Sequence, residues 1–158
     1  YVLRLILESA AARMASCNMT VEQLETLEKI VEQTRGLITL DATSLQRQLN
    51  KRFHLLIAEA SANSQLFKLY QMVSNQFPDW RLYEYMFRHP ELLEENLRRE
   101  YGEHRAIYEA LAAGEPDEAA AQVLLHIRNL SRELVEYLGV PQSLIQEKEQ
   151  QVEQMLST

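Results

Sequence analysis

The chain has 158 residues, a formal net charge of −7, 46% apolar and 25% charged residues, and only four Gly and four Pro. That size suits one domain with a sizeable core, and so little Gly and Pro argues against a loop-rich or all-β protein. The acidic balance excludes a nucleic-acid grip by this segment itself, which needs clustered Lys and Arg, and no apolar run approaches the roughly 20 residues that span a bilayer.

The first helix is expected over residues 2–16, with Leu3, Ile6, Leu7, Ala10 and Met14 at helical spacing. Its apolar opening holds Arg4 and Glu8 and lacks a basic start and a cleavage pattern, so it does not read as a signal peptide. The chain begins in mid-helix pattern, which points to a preceding segment. Asn18-Met19 is a break, and Thr20-Val21-Glu22-Gln23 has the form of a capping box opening the second helix. Leu24, Leu27, Ile30 and Val31 form that helix's stripe, which fades near Gly36. The third helix is expected over 43–60, with Leu45, Leu49, Phe53, Leu56 and Ala60 on one face, and Asn63 caps a fourth carrying Leu66, Leu69, Tyr70 and Val73. Pro78 kinks or splits the fourth, beside an aromatic group of Trp80, Tyr83, Tyr85 and Phe87 that reads as packing or dimer surface.

His89-Pro90-Glu91 starts the fifth helix, which Gly114 ends, and Glu115-Pro116-Asp117 starts the sixth. Val123, Ile127, Leu130, Leu134 and Leu138 are the sixth helix's stripe, stopped by Gly139-Val140-Pro141. The tail over 142–158, with Leu144, Ile145, Val152 and Met155, either docks or frays. No strand alternation or internal repeat stands out. The expectation is an all-α fold, a single antiparallel helical bundle of about six to seven helices forming one domain over 1–158.

Candidate chemistry centres on histidine. His54, His104 and His126 fall in the third, fifth and sixth helices, and Asn50 precedes His54 by one turn. An i, i+4 pair lets two side chains hold one metal ion, and His104 and His126 can close such a site from neighbouring helices. All three flank apolar stripes, so each can line an internal pocket; they also fit three separate, half-buried, hydrogen-bonded histidines, and both readings stand. Arg4, one turn before Glu8, reads either as a surface ion pair or as a guanidinium aimed into the pocket to clamp a carboxylate. The acidic run Glu91, Glu94, Glu95, Glu100 and Glu103 reads as a solvated face, with Glu103 pointing away from its neighbour His104. A phosphate loop, a nucleophile elbow, HExxH and CxxC are all missing, and the single Cys17 fits a reducing cytoplasm.

Several stretches, taken in order, resemble the FCD effector domain of the FadR-type branch of the GntR regulators: residues 4–15 as the opening helix, Asn50-Lys51-Arg52-Phe53-His54 with 58–63, Glu103-His104 through Ala110, and Gly114-Glu115 through Ala119 to His126. The resemblance implies a divalent metal ion of the Zn, Ni or Mn class held by Asn50, His54, His104 and His126. It also implies a small organic acid effector on that ion and on Arg4. Asn50 departs from the family's Asp and brings no negative charge. The resemblance further implies a cytoplasmic homodimer that reaches DNA only through an N-terminal winged helix-turn-helix domain absent from this chain. Two other readings remain at this stage: a metal-dependent hydrolase, and a plain helical dimerisation module without a ligand.

Overall fold

A computed structural model of the chain describes residues 1–37 and 39–156. Ser157 and Thr158, which the sequence reading includes in the tail helix, lie outside the described residues. The all-α expectation holds. Eight helices follow one another among the described residues: α1 (Val2–Asn18), α2 (Val21–Thr34), α3 (Thr43–Ala60), α4 (Ser64–Gln76), α5 (Asp79–Arg88), α6 (Pro90–Ala112), α7 (Pro116–Leu138) and α8 (Gln142–Leu156), with a short 3₁₀ turn at Leu40–Ala42. Pro78 splits the expected fourth helix, because a proline lacks the N–H that would continue the ladder, and it serves as the N-cap of α5.

The boundaries follow local chemistry. Thr20 and Gln23 form the reciprocal capping box at the start of α2, and the Asn63 side chain accepts from the Gln65 and Leu66 backbone N–H groups at the start of α4. Pro90 and Pro116 open α6 and α7 from the first turn, where the missing N–H costs nothing. Gly139 ends α7 at φ 66°, a left-handed conformation open to glycine without a Cβ penalty.

α1 is the central helix and packs most extensively against α7, with further contacts to α3 and α4. Its start meets α8 through Tyr1 and Glu149, and its end meets the start of α7 through Arg13 and Asp117, so α1 and α7 run antiparallel. α6 and α7 form an antiparallel hairpin. α1 and α3 run the same way, with Glu8 beside His54 and Asn18 beside Ser61, because α2 carries the chain back between them. The core joins Leu5, Ala12, Leu27, Val31, Phe53, Ile107, Val123 and Ile127, all 1% exposed or less.

Several expected stripe residues lie outside it. Leu45, Leu69, Leu144 and Met155 are exposed, and so are Trp80 and Phe87, since α5 buries Leu82 and Met86 instead. The tail docks through Ile145 and Val152 rather than fraying. Among the described residues, no helix is long and apolar enough to cross a membrane.

Candidate functional site

Three helices bring the histidines to one buried point. His54 (α3), His104 (α6) and His126 (α7) are 5%, 1% and 7% exposed, and one ring nitrogen from each lies within 4.8 Å of the others. Each sits one residue from, or one turn before, a core side chain (Phe53, Ile107 and Ile127 respectively), so burial of the stripes drags the imidazoles inward. The Nε2 atoms of His54 and His126 are 3.2 Å apart. His104 stacks on Phe53 with centroids 4.2 Å apart, and its Nε2 is buried without a hydrogen-bond partner in the protein. Two imidazoles on one ion at about 2.0–2.1 Å each place their donor atoms about 3 Å apart, a spacing that His54 and His126 already have, with a His104 nitrogen within 4.8 Å of both. A buried, unpartnered ring nitrogen on a ring beside such a pair is what a shared ligand could satisfy.

The outer side of two rings is occupied by carboxylates. Glu8 Oε2 is 2.8 Å from His54 Nδ1, and Glu8 Oε1 accepts from Arg4 Nε at 2.5 Å. Glu103 Oε2 is 2.7 Å from His126 Nδ1, and Glu103 Oε1 accepts from Asn129 Nδ2 at 2.7 Å. Burial pushes the His54 imidazole to lower pKa, against the partial pull of Glu8. Burial also holds His104 well below the usual range, with His126 and His54 adding to the effect. Both rings therefore stay neutral near pH 7, the form able to ligate a metal. Burial alone would raise the Glu8 carboxyl, but Arg4 and then His54 outweigh it and hold it below the usual carboxylate range.

Arg4 and Asn50 lie beside this point. Arg4 forms the expected i, i+4 pair with Glu8, but the pair is buried rather than on a surface face, and the guanidinium lies 4.7 Å from the centroid of the Phe77 ring. Asn50 Nδ2 donates to the Tyr83 hydroxyl at 3.5 Å, while its Oδ1 is buried and unpartnered. Arg4, Asn50, Phe77 and Asp79 line two small cavities of about 50 and 90 Å³; His126 borders the first and His54 the second. Glu100 and Glu133 line the first as well. Burial, with Glu133 and Glu103 nearby, pushes the Glu100 carboxyl up to about 8, and burial raises Glu133 to about 7 despite Arg99. His89, the fourth histidine, caps the α5–α6 junction and stacks on Tyr85, apart from the other three.

One expectation is corrected and one is sharpened. Glu100 and Glu103 belong to the interior wall, not to the solvated face that keeps Glu91, Glu94 and Glu95. Glu103 does diverge from His104 on its own helix, but that divergence aims it across the hairpin at His126. Glu8 and Glu103 are thus the residues that helical phase on a single helix misses. The one signal for Glu8 was a charge set among apolar neighbours a turn after Arg4.

With that geometry in hand, comparison with known proteins adds relatives. The FCD domain family model matches residues 1–129. The chain is 28% identical over 140 residues to the Uxu operon transcriptional regulator of Escherichia coli K12, covering 87% of this chain and 53% of that protein. It is 31% identical over 138 residues to the HTH-type transcriptional regulator LutR of Bacillus subtilis 168, covering 85% and 60%. It is 26% identical over 129 residues to the HTH-type transcriptional repressor NanR of Escherichia coli K12, covering 82% and 47%. The chain spans about half the length of these curated relatives. All three are named as transcription regulators, which favours the regulatory reading over the hydrolase one.

Proposed function

The chain belongs to the FCD domain family, and from that premise we propose that it is the effector-sensing domain of a GntR-type transcription regulator, binding a small organic acid at a divalent metal ion in the bundle interior. The single observation that carries this reading is the convergence of His54, His104 and His126, one from each of three helices, on a common buried point with an unpartnered Nε2. Three imidazoles with an amide oxygen suit ions of the Zn, Ni or Mn class. Asn50 is the fourth ligand in this reading, and its buried, unpartnered Oδ1 is the atom that would serve. The ion, when bound, would act as a Lewis acid that holds the effector's carboxylate.

The chain's own residues do the rest. Arg4 presents a guanidinium to both cavities and pairs with the acid from α1. The cavities' size favours an acid of few carbons. A ligand-free packing module would leave this level of the bundle dry and apolar, whereas Arg4, Glu8, His54, His104 and His126 are all buried here. An acid held between α1, α3, α6 and α7 adds a shared tie to helices already joined by packing and by polar contacts such as Glu8–His54 and Glu103–His126. Sensing follows if the ligand prefers one relative placement of the DNA-binding segments outside this chain over another. The setting proposed for the whole protein is a cytoplasmic homodimer that contacts DNA through an N-terminal helix-turn-helix domain.

Metal analysis and calorimetry on the purified domain test the reading. About one equivalent of metal per chain is expected, together with acid binding that a chelator abolishes, and replacing His104 and His126 together with Ala should remove both. Full metal content and unchanged acid binding in that double variant would overturn it.

A further inference from the structure

We infer that Glu8 and Glu103 are the positioning residues of the histidine centre: Glu103 orients His126 through a hydrogen bond at Nδ1, Glu8 lies against Nδ1 of His54, and together they supply from outside the donor set the negative charge that Asn50 does not bring. The inference rests on the metal reading above and goes beyond it, because neither carboxylate would touch the ion.

Charge motivates it first. Three neutral imidazoles and a neutral amide carry no net charge, and a dication taken out of water into such a set is poorly compensated. Two carboxylates stand directly against the rings, within 2.8 Å of a ring nitrogen. Glu8 is 4% exposed, and the side chain of Glu103 is 13% exposed. Both are therefore screened little by solvent.

Geometry is the second argument. A carboxylate oxygen that bonds a ring nitrogen favours the proton on that nitrogen, so Glu103, bonded to His126 at 2.7 Å, favours a proton on Nδ1; Glu8 Oε2 lies 2.8 Å from His54 Nδ1 as an ion contact outside hydrogen-bond geometry. That choice leaves the Nε2 lone pair of His126 facing inward, 3.2 Å from the Nε2 of His54. Each carboxylate is itself anchored, Glu8 by Arg4 and Glu103 by Asn129 with Arg99 at 3.7 Å, so neither is free to swing away, and each arginine offsets part of the charge beside it.

The ties also cross helices. Glu8 on α1 holds a ring on α3, and Glu103 on α6 holds a ring on α7. His104 shows the contrast: its ring is held by the stack on Phe53, and it is the imidazole left with an unpartnered nitrogen.

The experiment uses the 158-residue chain, stripped of metal, with Co²⁺ as the probe. Affinity is read by competition with a chromophoric chelator, coordination by the visible absorption of bound Co²⁺, and folding by circular dichroism. Glu103→Gln keeps an acceptor oxygen for Nδ1 but removes the charge, while Glu103→Ala removes both. Glu103→Gln is expected to weaken Co²⁺ binding about 10-fold and Glu103→Ala by up to about 100-fold with a changed spectrum. Glu8→Gln should act in the same direction. Because it strands Arg4 in the interior, the Glu103 variants decide the matter if that chain does not fold.

Charge compensation is tested by adding Asn50→Asp. The added carboxylate should raise affinity more in the Glu103→Gln chain than in the unmodified one. Unmodified affinity and spectrum in folded Glu103→Gln and Glu103→Ala chains would overturn the positioning role, and an equal gain from Asn50→Asp in both backgrounds would overturn the compensation. If the unmodified chain binds no Co²⁺ at all, the metal reading itself falls, and this inference with it.

Discussion

The two ends of α1 bury different chemistry. Its first half puts Arg4, Glu8 and Ser9 inside, and its second half puts Ala11, Ala12 and Ala15 there. Its antiparallel neighbour α7 mirrors the change, with Ala119, Ala120 and Val123 opposite the alanine end and His126 and Ser131 opposite the polar end. α6 buries Asn96 and His104 beside Leu93 and Leu97 in its first part and only the apolar Ile107, Ala110 and Leu111 after them. Small side chains let helices approach closely and exclude water, whereas long polar ones hold them apart around cavities. One end of the bundle is therefore closely packed, and the other carries the buried polar cluster proposed to bind, on the same three helices.

The sharpest way to break that division is at the residue that belongs to both ends. Phe53 is fully buried in the core and also carries the stacked His104 ring. Phe53→Ala is expected to cost about 3–5 kcal/mol in urea unfolding of the metal-free chain and to weaken metal binding as well. A cost under about 1 kcal/mol would show that the two ends are not joined there.

A smaller effect is expected wholly within the dry end. Ala12 is 0% exposed, so Ala12→Leu should destabilise by about 1–3 kcal/mol through overpacking. Metal affinity in the folded fraction should not change, and a large drop in it would mean that the alanine end also shapes the site.

The polar end is sharpened by pH. Glu100 has its carboxyl raised in the folded chain to about 8 from an ordinary 4.5, chiefly by burial and then by Glu133 and Glu103. A raised acid stays protonated in the folded state while the unfolded chain releases its proton. Its contribution is therefore complete below the unfolded value and is lost as pH rises toward 8. Glu100→Gln removes that loss, so in chelator the variant should gain on the unmodified chain between about pH 5 and pH 8.5, by on the order of 1–2 kcal/mol. Parallel stability curves for the two chains would contradict the buried placement of Glu100. The smallest effect belongs to the surface tie between Arg13 and Asp117, both exposed, where Asp117→Ala should change stability by less than about 0.5 kcal/mol.

Much of this was legible in the chain. Thr20 with Gln23, Asn63, Pro90, Pro116 and Gly139 mark helix ends by interactions confined to one turn of backbone, and each acts where its local chemistry puts it. His54, His104 and His126 were candidates because each borders a stripe of buried apolar residues, and that bordering is a property of a single helix. The exposed Leu45 and Leu69 show the limit of the same logic, since a stripe is only as buried as the neighbour that covers it.

What the sequence by itself determined is where helices start and stop and which arc of each is apolar, because those follow from backbone capping and a 3.6-residue period. Only the tertiary structure decided that three imidazoles meet, that Glu8 and Glu103 stand behind two of them, and that Arg4 is buried with Glu8 instead of lying on the surface. Those contacts join α1 to α3 and α6 to α7. They depend on how far each helix is rotated and shifted against its neighbour, which side-chain volumes across the whole core set together and no single stretch of chain encodes.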